Sequence, residues 1–157
     1  MAIVQSMCSS FKAEILLSVH DFRASGGDTF KLALYTSLAS INANTTAYTT
    51  SNEVVGTNYV AGGATLSSLG VTTVNTNTST GVGYLNFSNL TFSNVTLTAR
   101  GALIYNTTPS ALSNSGATLV NPAVCVLDFG SDKTATAGAF TIVFPTAGDT
   151  TAIVRIT

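Results

Sequence analysis

The stretch TFKLALYT at residues 29–36 indicates the fold class, because its side chains alternate with a period of two. Phe30, Leu32 and Leu34 fall on one face of an extended chain, and smaller or more polar residues fall on the other. This period predicts a half-buried β-strand rather than a helix.

Strand patterns continue towards the C-terminus, separated by connections rich in Ser, Thr, Asn and Gly such as residues 37–64 and 131–138. They lie at residues 65–75, 81–87, 90–98, 100–106, 123–129, 139–144 and 152–156. A change of parity predicts a β-bulge or a turn near Ser93–Asn94, and the apolar run at 123–129 predicts a central strand. The chain is therefore predicted to be mainly β, with a single-domain β-sandwich or jelly-roll-like fold.

The N-terminal region has a different period. Apolar residues at Phe11, Ile15, Val19 and Phe22 are spaced by three or four positions and predict one short helix over residues 9–23, with Ser9 or Ser10 as its N-cap. Residues 1–8 are predicted to form an arm or a short edge strand. With the sandwich over residues 29–157, the whole chain 1–157 is predicted to be one domain.

The composition favours a protein that contacts other proteins. Charged residues make up 8% of the chain and its net charge is −1, whereas about 25% is usual. A surface covered by neutral polar side chains allows another protein to approach without desolvating charges.

The six Lys and Arg residues are scattered, which argues against nucleic acid as a partner. No apolar run has the length of a membrane-spanning helix, so no membrane association is expected.

The N-terminus lacks the pattern of a signal peptide, because Lys12 and Glu14 interrupt its apolar run. We therefore expect synthesis in a cytoplasm. The two cysteines, Cys8 and Cys125, do not form a disulfide framework. Cys125 lies within an apolar run and is predicted to be a buried small hydrophobic residue.

The reactive side chains do not form a catalytic pattern. His20 is the single histidine, and no nucleophile or metal-ligand spacing accompanies it. We expect it to lie near the C-terminal end of the helix and to interact with the helix dipole or a carbonyl. Asp128–Gly130 spells DFG without the other kinase motifs and is predicted to be a strand that ends in a glycine turn. We therefore expect no enzymatic activity, no catalytic residue, no cofactor and no metal.

Several blocks of the sequence resemble a known group of proteins. They are SFKAEILLSVHDF at 10–22, TFKLALYTSLASINANTTAYTTSNEVVGTNYVAGGATLSSLGV at 29–71, LTARGALIYN at 97–106, AVCVLDFGSDKTATAGAFTIVFPTA at 123–147 and AIVRI at 152–156. In these blocks the chain resembles small proteins encoded by tailed bacteriophages and prophages. The resemblance implies a structural component of the virion, and it carries over no catalytic residue.

Two virion roles follow from this resemblance. A capsid decoration or cement protein, which bridges capsid subunits and stabilises the head shell, suits a short chain without repeats or coiled coil. The alternative is a tail, fibre or head–tail adaptor component, and a host-glycan adhesion module is a further one. The expected partners are the major capsid protein or other virion proteins and further copies of the chain, as a dimer or trimer. The expected location is the virion, on the capsid surface rather than the tail.

Three segments are predicted to carry the contacts: the arm at residues 1–7, the loop at 37–63 and the loop at 109–116. The predicted interface residues are Ile3, Val4, Val54, Val55, Tyr59 and Leu112.

Overall fold

The computed structural model describes residues 2–74, 81–113, 115–148 and 150–157. These residues contain one helix, α1 (Ser9–Leu16), and eight strands. The strands are β1 (Ser6–Met7), β2 (Phe30–Tyr35), β3 (Ala64–Thr65), β4 (Ser68–Val74), β5 (Val82–Phe87), β6 (Leu90–Asn106), β7 (Ala123–Ile142) and β8 (Val154–Ile156).

The strands form two antiparallel sheets around one hydrophobic core. The larger sheet has the order β1-β7-β6-β2-β3, and the smaller has the order β4-β5-β8. Aromatic rings join the sheets: the ring of Phe30 on β2 lies 5.8 Å from that of Phe87 on β5 and stacks on Phe22 at 4.3 Å. The chain is therefore a small, mainly β, sandwich-like single domain with one short helix, which confirms the predicted fold class.

β2 forms where the alternation predicted it, but it is buried on both faces. Ala33 and Tyr35, expected on the outer face, are as fully buried as Leu32 and Leu34. The second face is buried by tertiary packing, because the loop over residues 37–63 folds back across this strand, as described below. The prediction of a half-buried strand was therefore wrong.

β6 and β7 form a long hairpin that replaces four predicted strands. The predicted break at Ala99 and the predicted polar connection at 131–138 are both wrong, because each segment lies within a strand of the ladder. The predicted bulge is confirmed, since the register shifts between Phe92 and Val95 and Asn94 has a φ of 54°.

This hairpin bends sharply. The rings of Phe129 and Phe140 are 6.1 Å apart although both lie on β7, and a straight strand would separate them by about 36 Å. At the bend, residues 129–132 lie opposite the single residue Arg100, whose Nε and Nη2 atoms donate to Asp128 at 2.9 and 3.2 Å. Gly130, with a φ of 77°, lies within the strand rather than ending it as predicted.

The helix is shorter than predicted. α1 ends at Leu16, and Ser18 has a φ of 57°, so the chain leaves the helix before Val19. Val19 and Phe22 are still buried, because the extended segment after the helix also faces the core. Cys8, rather than Ser9 or Ser10, occupies the N-cap position. At the N-terminus, Ser6–Met7 form an edge strand that pairs with β7.

The remaining strands shift in their bounds. The pattern predicted at 65–75 splits into β3 and β4, and Asn75 lies outside the described residues. Cys125 is buried as predicted, with 5% exposure.

Candidate interaction surface

The loop over residues 37–63 packs along β2 and the neighbouring hairpin. The backbone N–H of Val54 donates to the carbonyl of Leu34 at 2.9 Å. Thr57 and Thr96 exchange backbone hydrogen bonds in both directions, at 3.1 and 3.3 Å. The loop therefore extends the pairing of the larger sheet although it contains no regular strand of its own.

Glu53 holds this loop from inside. Its side chain is buried, and its carboxylate accepts hydrogen bonds from Tyr48 Oη at 2.6 Å, Tyr59 Oη at 2.8 Å and the Gly62 N–H at 2.7 Å. A buried carboxylate is costly unless donors satisfy it. These three donors come from three positions in the loop, so the carboxylate cross-links separate parts of the loop through hydrogen bonds.

Further tyrosines connect the loop to the sheet. Tyr35 on β2 donates to the carbonyl of Thr49 at 2.5 Å, and Tyr105 on β6 donates to that of Gly62 at 2.7 Å. The rings of Tyr48 and Tyr105 stack at 4.7 Å. Burial raises the pKa of all four hydroxyls, that of Tyr105 to about 12, and the Glu53 carboxylate raises them further. The hydroxyls therefore remain protonated donors at neutral pH.

Two glycines allow the loop to lie this close to the sheet. A side chain at Gly63, whose φ is 69°, would collide with the backbone of Leu32, and one at Gly56 would collide with the Thr96 carbonyl. Close backbone approach is a common reason for glycine at such positions.

This fixed loop displays apolar side chains to solvent. Val55 is 97% exposed, Leu38 77% and Val60 74%. We call Leu38, Val55 and Val60 the apolar loop surface. Glu53 is the single charged residue of the loop and it is buried, so the exposed side chains of the loop itself are apolar or neutral. A preorganised loop that exposes no charge of its own loses little freedom and little hydration energy on binding a protein.

The predicted interface residues fall into three groups: exposed, buried and partly buried. Val4, Val55 and Leu112 are exposed, at 54%, 97% and 53%. Ile3 and Val54 are buried at 4% and 3% in the core of the chain itself, so neither can be a surface contact and that part of the prediction is wrong.

Tyr59 is partly buried. Its hydroxyl joins Glu53 to the Leu34 N–H, so it anchors the loop. Sequence reasoning missed Leu38 and Val60, because exposure within an irregular loop leaves no periodic signal. Asn114, in the predicted contact loop at 109–116, lies outside the described residues.

A second buried network contains the single histidine. His20 Nε2 lies 2.8 Å from Glu14 Oε2, and its Nδ1 lies 3.1 Å from Asn106 Nδ2. Asn106 Nδ2 also donates to Asp28 Oδ2 at 2.8 Å, while its Oδ1 accepts the Thr108 N–H at 2.9 Å. These two bonds fix the orientation of the amide, so Nδ1 accepts and the proton of the neutral ring is on Nε2.

Burial lowers the pKa of His20 below 6.5, although Glu14 and Asp28 act in the opposite direction. Both ring nitrogens are occupied, so the described geometry gives His20 no nucleophile to activate. The expectation of a helix-terminal histidine was wrong, because α1 ends four residues earlier and His20 contacts side chains instead. Sequence spacing could not reveal this network, since its members come from distant segments.

A groove of about 470 Å³ opens beside this network, between α1 and the smaller sheet. Its apolar walls are Ile15, Phe22, Val71, Leu85, Val154 and Ile156. His20 and Ser110 lie at its polar side. Its size suits a small ligand, but the side chains of His20 and Ser110 are already hydrogen-bonded to Glu14, Asn106 and Asp28.

Within the described ranges, no three His, Cys, Asp or Glu side chains gather as metal ligands would. The same ranges contain no helix with the length and apolar character needed to cross a membrane. Comparison with known proteins finds no matching family model, no similar curated protein and no similar solved structure.

Proposed function

We propose that this protein is a structural component of a tailed-bacteriophage virion. In this role it is a capsid decoration protein that binds the outer surface of the head and bridges capsid subunits. It is made in the host cytoplasm, acts without catalysis, and has the major capsid protein as its main partner.

The observation that carries this proposal is the apolar loop surface. Val55 and Val60 are highly exposed on a loop that Glu53 and four tyrosines hold in one conformation. Exposed apolar side chains on an ordered segment that exposes no charge of its own can bind a protein partner at little cost in conformational freedom or in hydration of charges. A rigid display also suits a subunit that repeats one contact many times over a lattice.

Two further observations support the same role. The sequence blocks resemble those of small phage proteins, and charged residues are three times rarer than usual. The aromatic rings argue against the glycan-binding alternative, because Tyr35, Tyr48, Tyr59 and Tyr105 pack around Glu53 rather than forming an exposed platform.

Locating the protein in intact particles tests the proposal. Purified virions of the phage that encodes the chain would be labelled with a specific antibody fragment and imaged by electron microscopy. The proposal expects label at repeated positions over the head, with a copy number in the hundreds. Label confined to the tail would instead support a tail or adaptor component, and virions without the protein would exclude both virion roles.

A further inference from the structure

We propose that Glu14, His20, Asn106, Asp28 and Ser110 form an acid-sensitive latch, which holds residues 106–110 against α1 at neutral pH and releases them when His20 is protonated. This inference goes beyond the proposed function and does not depend on it, because the latch lies within the isolated chain.

The latch joins four parts of the molecule. Glu14 belongs to α1, His20 follows the helix, Asp28 precedes β2 and Asn106 ends β6. Ser110 completes it: Oγ donates to Asp28 Oδ1 at 2.9 Å, and the Ser110 N–H donates to the Val19 carbonyl at 3.0 Å. These bonds therefore tie Asn106 and Ser110 to the helix side, whereas Thr107 and the Thr108 hydroxyl bond the backbone of Thr29.

A proton on Nδ1 is incompatible with this arrangement. The closed latch places the N–H₂ group of Asn106 against Nδ1, so the protonated ring would bring two donors together. Turning the amide over would offer an acceptor to Nδ1. It would also place a donor against the Thr108 N–H and an acceptor against Asp28 Oδ2, and both existing bonds would be lost.

The groups that face the ring determine how readily His20 is protonated. Glu14 on α1 and Asp28 before β2 are acidic and favour the imidazolium, whereas Asn106 on β6 is neutral. Around the ring, Phe11, Phe22 and Phe30 lie with centroids 4.9, 6.1 and 6.3 Å away and exclude water.

Two other pairs of groups are nearby. Asp21 and Arg23 pair with each other at the surface, and the Cys8 thiol is close enough to Glu14 for the carboxylate to raise its pKa. Neither pair supplies an acceptor for Nδ1. The side chain of His20 is fully buried, so the imidazolium gains an acceptor on that nitrogen only when the latch opens to solvent.

Opening the latch would affect the neighbouring groove. His20 and Ser110 both line it, so release of residues 106–110 would widen its polar side. Leu112, which is 53% exposed, lies two residues beyond the released segment.

Hydrogen exchange in the native protein tests the latch. Protection factors would be measured by NMR at pH 7.5 and pH 5 for the amides of Thr108 and Ser110, which donate to Asn106 and to the Val19 carbonyl, with Leu103 in β6 as the internal reference. Opening exposes an ordinary histidine of pKa 6.5, so the two amides should lose protection by up to about thirtyfold at pH 5. Leu103 should keep its protection.

Two variants separate the latch from general destabilisation. His20→Asn keeps an acceptor for Asn106 and does not titrate, so its protection should be the same at both pH values. Ser110→Ala removes one bond but leaves His20, so protection should fall at both pH values while their ratio is retained.

Unchanged protection of Thr108 and Ser110 in the native protein would overturn the inference, as would an equal loss at Leu103. A pH response that persists in His20→Asn would do the same. The native measurement decides the question even if His20→Asn does not fold.

Discussion

Two buried carboxylates hold loops in this protein, and they differ in their partners. Glu53 binds tyrosine hydroxyls and a backbone N–H, whereas Glu14 binds a histidine. The tyrosines are donors that ionise only in strong alkali, whereas a histidine has an ordinary pKa near neutrality, and burial lowers the pKa of His20. One network is therefore fixed at every physiological pH, and the other can respond to acid. The fixed network carries the apolar loop surface.

Removing the Glu53 carboxylate should have the largest effect. Glu53→Ala leaves Tyr48, Tyr59 and the Gly62 N–H without their acceptor, and each unsatisfied buried donor costs about 1–3 kcal/mol. We expect the free energy of unfolding to fall by about 4 kcal/mol in urea denaturation, since Tyr48 can partly reach water. Glu53→Gln keeps one acceptor oxygen and should lose roughly half as much. A loss below about 1 kcal/mol in Glu53→Ala would contradict the anchoring role.

Alkali should weaken the same network. Because folding raises the pKa of Tyr35, the folded chain binds more protons than the unfolded chain above pH 10. The stabilisation is complete below pH 10 and is lost as the pH rises towards the folded pKa. Tyr35 is fully buried and should contribute a loss of about 0.3 kcal/mol between pH 9 and 10 and about 1 kcal/mol between pH 10 and 11. Urea denaturation at pH 9, 10 and 11 measures this slope, and an equal slope in Tyr35→Phe would refute the assignment.

Acid should weaken the second network. Because folding lowers the pKa of His20, the unfolded chain binds more protons below pH 6.5. The stabilisation is present above pH 6.5 and is lost as the pH falls towards the folded pKa. Denaturation at pH 7.5 and 5 should differ by at most about 2 kcal/mol, and His20→Asn should remove most of that difference. Greater stability at pH 5 than at pH 7.5 would show that the carboxylates dominate instead.

The smallest expected effect is the difference in stability loss between alanine substitutions at two neighbouring loop residues. Val54 is buried and Val55 is 97% exposed. Val54→Ala should cost about 1.5 kcal/mol, at about 0.8 kcal/mol for each buried methyl group. Val55→Ala should change stability by less than about 0.5 kcal/mol. Equal losses in thermal denaturation would show that the loop packs differently in solution.

The fold could be predicted where the period of the sequence and the packing agree. β2 and the bulge near Asn94 follow from alternation. The predicted helix is longer than α1 because Val19 and Phe22 continue the helical spacing. Both residues are buried, but the chain that carries them is extended. Residues 131–138 looked like a connection because they are polar, but pairing with β6 makes them a strand. Such pairing is a long-range property that local periodicity does not contain.

The candidate surface could be predicted only in part. Loop length and composition indicated residues 37–63, and the exposure of Val55 agrees with that expectation. Val54 was misplaced because two adjacent valines in an irregular loop give no signal for which one points inwards. Glu53 offered a usable signal, since it is the single charged residue in a long neutral loop and lies between Tyr48 and Tyr59.

The central claim is that the apolar loop surface binds the phage head, and an add-back measurement tests it most directly. Virions lacking the protein would be incubated with wild-type protein, with a Val55→Asp and Val60→Asp double variant, or with Val143→Asp. Val143 is 72% exposed but lies outside the loop. Cryo-electron microscopy and quantitative mass spectrometry would report the site and its occupancy.

We predict that wild type and Val143→Asp occupy repeated sites on the head. The double variant should bind about a hundredfold more weakly, because a charge buried at a contact costs about 3 kcal/mol or more. Equal occupancy by the double variant, or wild-type density on the tail alone, would contradict the account.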